Sequence, residues 1–420
     1  MSIFKNIFLI FFIISLSAYC LYSQNNYHCG TTKYTEKIYA QNPELKRTID
    51  SINIEQRNTI REKSLKNTEE YAELIIPVVV HVVYDSTSTL TKLYQNIKDN
   101  QIYSAIETLN KDFNLLNDDR VNVPDEFKSL AGSANLRFVL ANRDPSGNIT
   151  TGITRTATDV TYWTLEDNVK YSSEGGKDPW DTKKYLNIWV CNLEDSYVAG
   201  YATLPEMTYY NSGYIQGIVI KSDMFGSVGS AANHARVVTH EVGHWVGLYH
   251  IWGDYTGCSS IYDDYIDDTP IQRTENYGCP EYPSASCSSN SDMFMNYMDY
   301  TDSYCQNIFT KGQVEWLRKR IDMFRKGIKT STGYVGIDDK LFEKSFNISP
   351  NPVKDVINVN FAFQNHVFYY EIINTNSVVQ SKGILSQNKI NMGNNISNGV
   401  YFLRIYNASV NYVKKFIVLK

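Results

Sequence analysis

The chain has 420 residues, 43% of them hydrophobic, and a formal net charge of −5. That length allows two or three domains with a substantial core, and the negative balance argues against nucleic acid or an anionic membrane as a partner. Residues 1–23 read as a signal peptide: Lys5 supplies the positive start, residues 7–16 the apolar stretch, and Leu21-Tyr22-Ser23 a cleavage site before Gln24. The apolar run is too short for a membrane span, and no later stretch approaches 18 apolar residues. The expected mature protein is therefore exported, without stable membrane insertion. Cys20 could suggest a lipoprotein, but Tyr19 before it is too large for that processing.

Residues 24–70 are polar and helix-prone, with too few large apolar side chains to fold alone. They carry Cys29-Gly30-Thr31 and an exposed basic helical stretch around Arg57, Arg61 and Lys63. Such a segment is a linker or a pro-segment, and the pro-segment is the reading adopted, with activation by cutting between about Arg57 and Glu70. A second unit opens with a β-branched run at 75–84, suited to a buried strand, in which His81 is expected to be a satisfied core histidine. Ile102, Ile106, Leu109 and Phe113 repeat at helical spacing, and strands are expected at 136–141, 185–191 and 217–221. Cys191, inside one of them, is expected to be a buried free thiol. Residues 200–205 give a short edge strand halted by Pro205, and a helix is expected from Ser230. The fold class is α/β, of the α+β kind, for residues 71–328.

That last helix carries His-Glu-Val-Gly-His-Trp-Val-Gly-Leu-Tyr-His, residues 240–250. His240 and His244 at i and i+4 leave one helix face and can close on one metal ion. Glu241 sits about 100° around the helix, beside the metal and outside its coordination sphere, where it can take a proton from a water. Gly247 can take a left-handed conformation and end the helix, so that His250 swings back as a third ligand. Three imidazoles and one open position describe a catalytic zinc site. A bare His-Glu-x-x-His arises by chance. The extended form fixes five positions in eleven residues, and Met298, within Asn296-Tyr297-Met298-Asp299-Tyr300, follows about fifty residues later as the extended motif requires. Met298 then forms an apolar floor under the imidazoles, and Tyr300 can point its phenol at the metal or at the transition-state oxyanion.

After Gly247 periodicity is lost until Thr310, where Thr310-Lys311-Gly312-Gln313 makes a capping box for a final helix faced by Val314, Leu317, Ile321 and Phe324. The irregular stretch holds Cys258, Cys279, Cys287 and Cys305. In an exported chain these should be oxidised, with three pairings open. It also concentrates Asp254, Asp263, Asp264, Asp267, Asp268 and Thr269. This is either a solvated loop or, because hard oxygens suit it, a calcium site. Residues 329–342 read as a linker. From Phe346 onward short alternating strands split by Asn/Gly turns indicate a small all-β sandwich over 343–420.

Residues 240–250 with Met298 resemble a metzincin metallopeptidase. Tyr249-His250-Ile251-Trp252-Gly253-Asp254, Asp267-Asp268-Thr269-Pro270 and residues 296–302 narrow the resemblance to the pappalysin family. The resemblance implies a secreted zinc endopeptidase acting on proteins or peptides, with bound Zn2+ and structural Ca2+. It also implies pairings Cys258–Cys287 and Cys279–Cys305, and an upper edge strand at 200–205 that pairs with extended substrate. Pappalysin-like precursors carry a similar Cys-Gly-Thr, which makes Cys29 the expected zinc ligand of a latent form. Some relatives prefer a basic residue just after the scissile bond, read by acidic groups after the Met-turn; here Asp302 is present and Ser303 follows it. The opening Phe346–Pro352 stretch, Gly399-Val400-Tyr401 and the final Lys-containing strand resemble the C-terminal sorting domain of the type IX secretion route, which makes that machinery a partner. A carbohydrate-binding sandwich is the alternative for this domain. For the whole chain it is a catalytically silent secreted adhesin with structural zinc.

Overall fold

In the computed structural model, residues 27–64, 71–210, 215–259, 263–335, 345–360, 368–376, 378–385, 388–393, 395–406 and 411–420 are described. The signal peptide, residues 65–70 of the expected activation stretch and residues 336–342 of the linker lie outside them.

The chain begins with a two-residue strand, β1 (His28–Cys29), followed by helices α1 (Thr31–Gln41) and α2 (Pro43–Ser64). Strand β2 (Leu74–Asp85) is the β-branched run; buried at nearly every position, it forms the centre of a sheet. Helices α3 (Thr89–Gln95), α4 (Asp99–Asp112) and α5 (Asp125–Lys128) follow. Next come strands β3 (Leu136–Leu140), β4 (Ile153–Thr158), β5 (Leu186–Cys191), β6 (Val198–Ala202) and β7 (Ile218–Lys221). The sheet order is β1-β6-β7-β5-β2-β3, with β4 also on β2. The strands β2, β3, β4, β5 and β7 are parallel, whereas β6 runs antiparallel to β7.

The metal-motif helix α6 (Val237–Trp245) packs with α4 under this sheet: Ile102, Ala105, Leu109, Val238 and Val242 share one core with Val78, Val80 and Ile188. It begins at Val237, not Ser230; the residues before it form only a single tight turn, Gly229–Ala231. On the opposite face Trp189, Tyr201 and Val219 are covered by Tyr34, Ile38, Leu45 and Ile49 of α1 and α2. Helices α1 and α2 are thus ordered because the sheet supplies the apolar partner for their amphipathic faces.

Helix α7 (Lys311–Phe324) starts with the expected capping box. Between α6 and α7 the irregular stretch is stapled by Cys258–Cys287 and Cys279–Cys305. His81 is fully buried, bonded to Thr154 and Asn187, and Cys191 is a buried free thiol.

The C-terminal part is all-β. Strands β8 (Asn347–Ser349), β9 (Val356–Asn360) and β12 (Lys389–Asn391) form one sheet. Strands β10 (Tyr369–Asn374), β11 (Val379–Ile384), β13 (Gly399–Tyr406) and β14 (Asn411–Val418) form the other. Alternate residues of each, such as Ile357 and Val359 against Ile372, Leu403 and Phe416, make the shared core of a sandwich. No helix among the described residues is long and apolar enough to cross a membrane.

Candidate metal and active site

Helix α6 brings His240, Glu241 and His244 to the lower wall of the cleft. Its end is set by Gly247, at φ +97°, where a Cβ would meet Arg320 Cγ at 2.7 Å. The turn returns His250 so that the three Nε2 atoms lie 3.1–3.2 Å apart. These contacts are not hydrogen bonds. His240 Nδ1 donates to the Tyr297 carbonyl and His244 Nδ1 to the Leu248 carbonyl, each at 2.8 Å, and His250 Nδ1 faces Asp254. A neutral imidazole has one proton, so three lone pairs point at each other with no donor between them. Burial, followed by the neighbouring His250, pushes His240 down to about 3; burial likewise pushes His244 well below its ordinary value. Three buried, neutral, converging acceptors fit a cation. Tetrahedral zinc with bonds of about 2.0–2.1 Å places its nitrogens roughly 3.3 Å apart.

Cys29 completes the cage: its Sγ and one nitrogen from each histidine all lie within 4.8 Å of one another, the one such cluster among the described residues. The sulfur also donates to Glu241 Oε2 at 3.4 Å and accepts from the Thr31 amide at 3.3 Å. Burial, with the Glu241 charge second, pushes the thiol up. Burial raises Glu241 to about 8, against the bonds from Cys29 and Thr31 that lower it. A bound cation inverts this logic for the sulfur, since a coordinating thiol is deprotonated outright.

Met298 is fully buried directly beneath α6. Gly243 makes that possible, because a Cβ there would lie 2.5 Å from the Met298 sulfur. Tyr300 places its ring 4.9 Å from that of His250 and its hydroxyl 3.3 Å from the Cys29 carbonyl, to which it donates. A cleft of about 560 Å3 opens beside this group, bordered by His28, Cys29, Glu241, Tyr300 and Asp302.

The strand expected at the edge, β6, is covered on its outer side by β1. Strand β1 adds to β6 in parallel, His28 opposite Val198 and Cys29 opposite Gly200. The Gly30 amide donates to the Gly200 carbonyl at 2.7 Å, and Thr31 Oγ1 accepts from the Ala202 amide at 2.8 Å while reaching Glu241 at 3.3 Å. Further along, Asn53 donates to the Tyr249 hydroxyl at 3.0 Å and Gln56 to the Trp316 carbonyl at 3.1 Å.

In this structure the carboxylates of the acidic stretch accept from protein donors. Arg57 bonds Asp263 through two nitrogens at 2.9 Å and also bonds Asp267, and Arg61 grips Asp267. Asp264 accepts from Thr269, Asp268 caps α7 through Thr310 and Gly312, and Asp254 belongs to His250. Arg57 is therefore not a freely exposed cleavage residue: it lies in helical α2 with only 14% of its side chain exposed. The spacing rules found the histidines, and the family resemblance pointed to Cys29. They missed Thr31, Thr32, Gly243 and the role of Asp254, whose partners are distant in sequence or reached through an irregular turn.

The comparisons with known proteins bear on the same residues. Residues 170–322 match the family described as Pregnancy-associated plasma protein-A, and 347–419 match the secretion system C-terminal sorting domain. An extracellular metalloprotease of Arthroderma otae is 33% identical over 195 residues, covering 38% of this chain and 68% of that protein. The chain belongs to the pappalysin family of metallopeptidases. Mature mirolysin of Tannerella forsythia, solved with a cleaved peptide, is 47% identical, covering 62% of this chain and 97% of its own, with a TM-score of 0.57. A promirolysin variant from the same organism is 44% identical over 72% of this chain and 97% of its own, with a TM-score of 0.61. The protein is a zinc metalloendopeptidase, made as a latent precursor and secreted by the type IX route.

Proposed function

We propose that His240, His244 and His250 hold the zinc, that Glu241 is the general base, and that Cys29 takes the fourth position in the precursor. The observation that carries this reading is the set of three proton-free Nε2 atoms converging beside a buried carboxylate. When bound, zinc polarises the scissile carbonyl and lowers the pKa of a water toward about 7. Glu241 takes the proton of the attacking water as the new C–O bond forms, and delivers it to the leaving amine as the C–N bond breaks. Tyr300 donates to the developing oxyanion; in the precursor its hydroxyl already donates to a main-chain carbonyl, that of Cys29, in the substrate's place. Once β1 departs, the free side of β6 offers its amides and carbonyls to an extended peptide.

The domains we assign are a signal peptide at 1–23, a pro-segment at 24–70, the catalytic unit at 71–328, a linker at 329–342 and the sorting domain at 343–420. The partners are protein or peptide substrates and the type IX machinery. A casein-cleavage assay on the processed chain tests the reading: cleavage should stop when a zinc chelator is added and return with zinc. Cleavage that survives complete zinc removal refutes it.

Calcium is a separate proposal for the processed enzyme. Loss of the pro-segment takes Arg57 and Arg61 away from Asp263 and Asp267, leaving hard oxygens that suit Ca2+. A calcium-selective chelator should then lower the melting temperature, because an ion bound only by the native state stabilises it. An unchanged melting curve would leave these residues as a solvated loop.

A further inference from the structure

The three histidines of the cage are not held alike. His240 and His244 each give the Nδ1 proton to a neutral main-chain carbonyl. His250 alone turns Nδ1 to a carboxylate oxygen, Oδ1 of Asp254, four residues further on. Asp254 reaches that place through a left-handed backbone, φ +63°, which L side chains avoid because Cβ crowds the following carbonyl. Such a conformation persists only where the surrounding structure enforces it, commonly at functional sites. Trp252 stacks flat on the His250 ring, 4.4 Å between centroids and 6° between planes, while Tyr300 stands edge-on to it. The ring therefore has a single orientation, with Nε2 in the cage and Nδ1 on Asp254. The pro-segment enters at the same atom. Thr32 Oγ1 donates to Asp254 Oδ1 at 2.7 Å and lies 3.2 Å from His250 Nδ1.

We propose that Asp254 is a positioning residue for His250, fixing its tautomer and strengthening it as a zinc ligand, and that Thr32 of the pro-segment draws on the same carboxylate oxygen in the precursor. A carboxylate that accepts an imidazole N–H polarises the ring and makes the opposite nitrogen the better donor to a metal. A hydroxyl bonded to that oxygen competes for its electron density. The pro-segment thus acts on the site twice, through sulfur in the cage and through a hydroxyl behind one ligand. The inference rests on the reading that these histidines hold zinc.

The test measures the zinc dissociation constant of the processed enzyme by competition with a chromophoric chelator. Asp254→Asn keeps the shape and removes the charge. Asp254→Gly removes the carboxylate while relieving the left-handed backbone, so it should fold at least as well as the parent. Both should bind zinc about 10–100-fold more weakly, with the metal-free melting temperature of the glycine variant no lower than the parent's. Zinc binding equal to the parent in Asp254→Gly overturns the proposal, and this variant decides alone if Asp254→Asn does not fold. A parent that binds no zinc refutes the zinc reading itself, and this proposal with it. Thr32→Val in the intact precursor should raise its zinc affinity; an unchanged value overturns the part assigned to Thr32.

Discussion

Glu241→Ala is expected to leave one zinc per processed chain and to lower turnover at least about a hundredfold, the usual worth of a general base. The side chain is outside the cage yet 1% exposed, and it is set at the cleft by the close approach of β6. A Cβ at Gly200 would lie 3.1 Å from Glu241 Cγ. Alanine removes the carboxylate without touching the three imidazoles, so metal content and rate should separate. The comparison belongs on the processed enzyme, because in the precursor Glu241 also receives Cys29 and Thr31. Undiminished turnover at equal zinc content would remove Glu241 from the mechanism.

Cys29→Ala should give an intact precursor that already cleaves peptides, since the fourth position no longer carries sulfur. The activity should be partial. The rest of the pro-segment keeps the β1–β6 pairing, the buried Asn53 and Gln56 bonds and the Arg57 clamp. Hydrogen bonds to charged groups contribute about 1.5–3 kcal/mol, so adding Arg57→Ala should raise precursor activity by roughly tenfold or more. The measurement is peptide hydrolysis by precursor shown uncut on a gel. If Cys29→Ala stays as inert as the parent until cleavage, latency comes from the bulk of the segment and its clamps. If Arg57→Ala adds nothing, the ion pairs with Asp263 and Asp267 are incidental to latency.

Much of this protein is legible without a structure because its decisive features are local. The i, i+4 histidines, the glycine that turns the chain, the capping box at Thr310 and the β-branched run of β2 are periodicities of single elements, and the structure has all four. The family resemblance added the cysteine pairings, which spacing alone left open among three. The start of α6 is not legible in this way: the residues after Ser230 have no strong breaker, and the helix begins at Val237 where packing under the sheet sets it.

What the sequence by itself determined is therefore the chemistry: an extended histidine motif, its neighbouring carboxylate, an exported chain and a distinct C-terminal sandwich. Only the tertiary structure decided how that chemistry is held silent and aligned. Cys29 meets Glu241 across 212 residues, Arg57 meets Asp263 across 206, and Thr32 meets Asp254 across 222. No periodicity links such positions. The acidic stretch shows the same limit, since composition reports how many carboxylates are present and not where they point. Their direction is fixed by the backbone, by a left-handed Asp254 and a helix cap at Asp268. Asp254, Asp264 and Asp268 are thereby committed to different partners, while Asp263 and Asp267 share Arg57, because a carboxylate with little solvent around it must find a donor or lose its charge.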